Sequence, residues 1–128
     1  MFRKICFIFC LVACSSFAQT KNCEEYKIGE FVYPDNPNKV SVRKNTIQES
    51  YNNGKLEMQW KITWINDCTY EMVCQKVFNP SIPIKIGDRI VTTIIETDAK
   101  CYKFTYVVYN EFYPNGFVSP EPGKMCRK

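Results

Sequence analysis

The stretch from Leu56 to Cys74, LEMQWKITWINDCTYEMVC, admits few folds. Leu56, Met58, Trp60, Ile62 and Trp64 alternate with Glu57, Gln59, Lys61 and Thr63. That period of two belongs to a strand with one buried face and is too strict for a helix. Cys68, Tyr70, Met72 and Cys74 repeat the pattern against Thr69, Glu71 and Val73. Two strands joined at Ile65-Asn66-Asp67 make a hairpin, and parity constrains its loop. The Trp face meets the Tyr/Met face only across an odd number of loop residues. A two-residue Asn-Asp loop would put Glu71 opposite Ile62, on the core side. A three-residue loop with a bulge is therefore expected, setting Trp64 opposite Cys68, Ile62 opposite Tyr70 and Trp60 opposite Met72.

Further strands flank this hairpin. Glu30 to Tyr33 is a short one, closed by the breakers Pro34-Asp35-Asn36-Pro37. Val40 to Arg43 alternates again, and a tight Lys44-Asn45 turn would face Val42 to Ile47. Asn53-Gly54, the strongest hairpin signal in the chain, would pair Tyr51 with Leu56 and Ile47 with Trp60. Together these turns place Val42, Ile47, Tyr51, Leu56, Trp60 and Tyr70 on one surface. The same register sets Glu49 opposite Met58 on the core face. A bulge or a rim position is the simpler account of Glu49, and a carboxylate lining a pocket is the functional one. Phe78 to Asp88 holds Pro80, Pro83 and Gly87 and reads as a connection. Arg89 to Thr97 and Cys101 to Tyr109 make another hairpin. Asn110 to Lys128 reads as irregular, with a short strand at Gly116-Phe117-Val118. About seven antiparallel strands in neighbour-to-neighbour order point to an all-β fold, an up-and-down meander forming a small barrel or half-barrel.

The N-terminus reads as an export signal. Arg3-Lys4 is its charged region, Ile5 to Ala13 is apolar, and Ser16-Phe17-Ala18 is a small-x-small cleavage site before Gln19. Leu11-Val12-Ala13-Cys14 also resembles a lipobox, in which Cys14 would be lipidated. Ordinary cleavage is preferred, giving residues 1-18 as signal peptide, 19-110 as a β-meander domain and 111-128 as a Pro/Gly-rich tail. The expected location is periplasmic or secreted, with a lipid anchor on a membrane as the alternative. No other segment is apolar enough to span a bilayer.

Cysteines outside the cytoplasm oxidise where geometry allows. Cys23, Cys68, Cys74, Cys101 and Cys126 follow the signal, so at least one has no partner within the chain. Cys68 and Cys74 would lie ~20 Å apart along one strand and cannot pair. Cys23 and Cys68 both fall at element ends, as does Cys101, while Cys126 sits in a tail with little else to hold it. Bridges Cys23–Cys68 and Cys101–Cys126 are expected, with Cys74 a buried free thiol; Cys74–Cys101 is the nearest rival.

Composition removes more chemistry than it adds. The chain has no histidine, which excludes Ser-His-Asp and Cys-His catalysis and His-ligated metals. It has no CxxC, no phosphate-binding Gly loop and no GxSxG. Asp35-Asn36-Pro37-Asn38 lacks the spacing of a calcium loop and reads as a solvated turn. The net charge of +4 is scattered, so nucleic acid is not expected as a partner. No cofactor and no enzymatic activity are expected. Aromatic residues make up 15% of the chain, enough to fill a core or to line an apolar cavity.

Three runs carry a family resemblance: Cys23-x-x-Tyr26-x-x-Gly29-x-Phe31, Val42-Arg43-x-x-x-Ile47-Gln48 and Trp64-Ile65-Asn66-Asp67-Cys68-x-Tyr70. Over roughly Cys23 to Tyr109 the chain resembles a family of small, uncharacterised exported bacterial proteins, some of which carry an automatic "DNA topoisomerase IV" label. Nothing in these residues supports that activity. The resemblance implies a lipocalin-like β-meander and brings no catalytic residues; Cys74, Cys101 and Cys126 depart from its pattern. The function expected is a small binding module for an apolar ligand, with Trp60, Trp64, Tyr70 and Glu49 as candidate lining residues. The alternative is a structural or interaction module that binds an envelope protein through a sheet edge or exposed aromatics.

Overall fold

A computed structural model describes residues 21–128; the segment expected to be an export signal, with Cys14, lies outside them. One 3-10 turn, Cys23–Tyr26, precedes nine strands. These are β1 (Gly29–Tyr33), β2 (Asn36–Arg43), β3 (Ile47–Asn52), β4 (Lys55–Asn66), β5 (Thr69–Val77), β6 (Arg89–Thr97), β7 (Cys101–Tyr109), β8 (Phe117–Val118) and β9 (Gly123–Arg127). All pairings are antiparallel. Strands β1 to β7 follow one another around the wall, and β9 sits between β7 and β1 to close it. The result is an eight-stranded barrel with β8 as one extra strand on β7.

The chain beyond residue 110 is therefore not the irregular tail expected of it. Its alternation is too short to register in sequence, yet β9 supplies the closing strand. β7 divides its outer edge: Cys101 to Phe104 pair with β9, and Val107 and Val108 pair with β8. Between them Ser119 is buried and holds the crossing chain, with its N–H donating to Tyr106 O and its Oγ accepting from Tyr106 N. Gly123 faces Phe104, and a Cβ there would lie 2.4 Å from that ring, so only glycine lets the ring lie over the strand.

The central hairpin keeps the faces that parity demanded but not the register. Asn66 pairs with Thr69 across Asp67-Cys68, and Ile65 is the bulged residue. Trp64 thus faces Tyr70, Ile62 faces Met72 and Trp60 faces Cys74, each two residues from the expected partner. A two-residue turn plus a one-residue bulge has the same parity as a three-residue loop. Trp60, Ile62, Tyr70, Met72 and Cys74 are buried as expected, with Met58 and Trp64 packed against them.

Strands β2 and β3 depart further. The Asn53-Gly54 turn forms as read, with both residues at positive φ, and sets Tyr51 opposite Leu56. A register shift then follows between Ser50 and Tyr51, so Gln48 faces Trp60 and Ile47 faces Lys61. Arg43 pairs with Gln48 and Val42 with Glu49. The inner face of these strands is therefore Ser41, Arg43 and Gln48, all buried, while Val42, Ile47 and Tyr51 point away from the core. Glu49 is on the outer face, bound by Lys44 Nζ and Tyr51 Oη.

Disulfides join Cys23 to Cys68 and Cys101 to Cys126, and Cys74 is a buried free thiol. The first pins the 3-10 turn to the β4–β5 tip; the second ties β7 to β9 at directly paired positions. By chain-entropy arguments loops of these lengths are worth about 3–4 kcal/mol each. Alkylation without denaturant should leave Cys74 unmodified, and unfolding should expose one reactive thiol in residues 21–128. Rapid labelling of the folded protein would show that the barrel wall at β5 is open.

A buried guanidinium and the open cup above it

One end of the barrel is filled and the other is hollow. At the filled end the 3-10 turn lies across the tips of two hairpins. Tyr26 is fully buried there, and its hydroxyl donates to the carbonyls of Asp98 and Cys101 at 2.6 and 3.0 Å. Tyr26, Phe31 and Tyr102 pack as a cluster, with ring centroids 4.9–6.0 Å apart.

Arg43 sits inside that cluster with 1% of its surface exposed. Its Nε donates to Gln48 Oε1 at 2.8 Å and its Nη1 to the Tyr26 carbonyl at 2.7 Å. Its Nη2 donates to Tyr70 Oη at 3.1 Å and Tyr102 Oη at 3.0 Å. The guanidinium carbon lies 4.7 Å from the ring centroids of both Phe31 and Tyr70. Among the described residues no carboxylate pairs with it. Desolvating a cation costs several kcal/mol. Hydrogen bonds from a charged donor contribute about 1.5–3 kcal/mol each, and cation–π contacts about 0.5–2 kcal/mol, so this set offsets that cost without a counter-ion. Burial alone would lower the arginine pKa, but Tyr70 and Tyr102 outweigh it and hold it above the usual value. The charge is thus permanent.

Above this plug the interior is empty. One compartment of about 600 Å3 is lined by Tyr33, Gln48, Tyr70, Met72, Ile90 and Thr92, with Phe104, Tyr106, Met125 and the 120–123 segment completing it. A second, of about 580 Å3, shares Tyr33, Gln48, Met72 and Ile90 with the first and extends past Trp60 and Met58 to Ile82, Pro83 and Ile84. The 78–88 connection therefore overhangs the cup, with Ile84 packed on the core cluster. An ion pair between Lys85 and Glu111 links it to the loop after β7.

Of the four candidate lining residues, Tyr70 and Trp60 border the cup. Trp64 lies at the filled end, 4.8 Å from the Tyr70 ring and under Lys27 Nζ. Glu49 is outside the barrel. Arg43 and Gln48 were missed because the bulge at Glu57, opposite the Ser50–Tyr51 step, reverses the faces of β3. The one sequence signal for them was Glu49 itself, a carboxylate misplaced on the core face until a bulge is inserted.

No family model, no curated protein and no solved structure matches the chain. No helix among the described residues is long and apolar enough to cross a membrane.

Two outcomes test the plug. Arg43→Met should lower unfolding free energy by about 2–4 kcal/mol, because Gln48 Oε1 and the Tyr26 carbonyl lose their donor while the aliphatic volume stays filled; urea denaturation measures it. The Tyr102 phenol is raised well above 10.0, first by burial and then by Tyr70. A raised folded-state pKa gives stability that is complete below the unfolded value of about 10 and is lost as pH rises beyond it, since the unfolded chain then binds fewer protons. Tyrosinate absorbance should show one phenol ionising only as the barrel opens in alkali. Its ionisation in a still-folded barrel would show the filled end to be wet.

Proposed function

We propose that this barrel is a non-enzymatic binding module that takes a small, largely apolar ligand into its open half. The observation that carries the reading is the cup itself. Its two compartments fall within the roughly 300–1,000 Å3 range of small-molecule sites; the first is walled mainly by Met, Ile and aromatic side chains, and the second mixes such residues with polar ones. A barrel whose only task was to hold its wall together would fill this space with side chains, as the opposite end does. The absence of histidine and a Cys74 thiol pushed up by burial and by Asp88 favour binding over nucleophilic chemistry. Two disulfides suit an oxidising compartment and agree with an exported protein.

A second reading draws on the rim. Ile86, Phe112 and Val118 are 72%, 75% and 66% exposed. Exposed apolar residues of this size also suit contact with an envelope protein.

The neutral fluorescent probe N-phenyl-1-naphthylamine separates the two. Saturable one-to-one binding, weakened tenfold or more by Ile90→Trp, which fills the space shared by both compartments, supports the ligand reading. Unchanged affinity in that variant, or no binding at all, would move the function to the rim. Native mass spectrometry of protein purified from its own host would then identify the occupant.

A further inference from the structure

The first compartment has few polar groups, and two of them, Gln48 and Tyr70, are bound to Arg43; the other compartment carries Lys39, Glu57 and Asn79 toward its mouth. Gln48 is 4% exposed and lines both compartments. Its Oε1 accepts from Arg43 Nε, and a guanidinium only donates, so the orientation of the amide is fixed. Among the described residues its Nε2 has no hydrogen-bond partner, although it carries two N–H groups. Tyr70 borders the same cup, and its oxygen accepts from Arg43 Nη2. Tyr102 donates its own hydroxyl to Met125 Sδ at 3.2 Å, which leaves the Tyr70 O–H only a 3.4 Å contact with Tyr102 Oη. That is long for a hydroxyl bond, whose usual distance is about 2.7–2.8 Å. Thr92 is 2% exposed, pairs across the sheet with both Tyr70 and Tyr106, and has no side-chain partner among the described residues. Two of these groups are braced from behind by a permanent cation with no carboxylate beside it. The one carboxylate bordering this compartment, Glu121, lies on the exposed rim.

These donors are not sealed off, since the one sealed side-chain N or O without a partner among the described residues is Arg127 Nε; they face the cup beside a buried cation and are free for a ligand to take. We infer that the ligand of this cup carries a carboxylate on an apolar body, its oxygens taking Gln48 Nε2–H and the Tyr70 and Thr92 hydroxyls at the floor while its hydrocarbon part lies against Met72, Ile90 and Phe104. The guanidinium supplies the charge complement through Gln48 and Tyr70 without touching the ligand. An amine would meet donors and a like charge there, and an alcohol would lose the electrostatic part. This assignment rests on the binding reading above and specifies its ligand.

The test is displacement of N-phenyl-1-naphthylamine by three molecules of equal chain length: dodecanoate, dodecanol and dodecylamine, at pH 7. Dodecanoate should bind at least tenfold more tightly than dodecanol, with dodecylamine weakest. Gln48→Glu keeps the acceptor for Arg43 Nε but replaces the two N–H groups by a carboxylate. It should remove most of the dodecanoate affinity and leave dodecanol within about twofold. Tyr70→Phe keeps the ring and should cost dodecanoate about fivefold; it serves should Gln48→Glu fail to fold. Equal binding of acid and alcohol by the unaltered protein overturns the carboxylate assignment while leaving the apolar cup in place. An acid preference that survives both substitutions also overturns it. If neither the probe nor any of the three ligands binds, the binding reading itself falls.

Discussion

Everything inside this barrel is arranged around one positive charge that cannot leave and cannot be neutralised. A guanidinium holds its proton at any pH the fold survives, so its surroundings must supply acceptors. They come from four directions: the 3-10 turn gives a carbonyl, β3 an amide, β5 and β7 a phenol each. Arg43 therefore cross-links elements separated by up to 59 residues, which hydrophobic contact would join less selectively. A leucine there could slide by two residues, keeping its face, and still be buried. A planar fork with four fixed acceptors cannot. The reading of Arg43 as a device for specificity agrees with its lack of a counter-ion, since an ion pair would serve stability no better.

The same residue separates the two halves of the molecule. Below it aromatic rings and the Cys23–Cys68 bridge close the barrel end; above it the wall continues but the filling stops. Closure at one end gives the other freedom to remain hollow, because the strands there are held by hydrogen bonds to neighbours on both sides and need less from the interior.

How much of this could be read from the sequence depended on what each feature obeys. Strand identity and the buried face of β4 and β5 follow from strict alternation, and parity survives any mixture of turns and bulges of the same total length. Cysteine pairing followed from element ends. Register did not, because the bulges at Ile65 and Glu57 leave no clear mark in composition. The second of them turned the inner and outer faces of β3 over, and the apolar residues Val42, Ile47 and Tyr51 concealed it by looking like a core. Polar residues inside a barrel break the rule on which sequence reading rests, so Arg43 and Gln48 were the two residues hardest to find. Strand β9 escaped because five residues that open on a glycine directly after Pro120 and Pro122 resemble a loop.

The place of β9 in the wall has a kinetic side. Phe31 pairs with Arg127 and Val32 with Cys126, so β1 takes its second partner from the ninth strand in chain order. Until residues 123–127 arrive, β1 and β7 are both unpaired edges of an open, curling sheet, and no local hairpin can substitute. Loop-closure entropy falls on this step almost in full. The chain should therefore pass through a long-lived open sheet with two sticky edges and become resistant to self-association in a single late event. The Cys101–Cys126 bridge, at the junction of β7 and β9, then acts as a latch on that event, converting a slow docking into one that does not reverse while the surroundings stay oxidising.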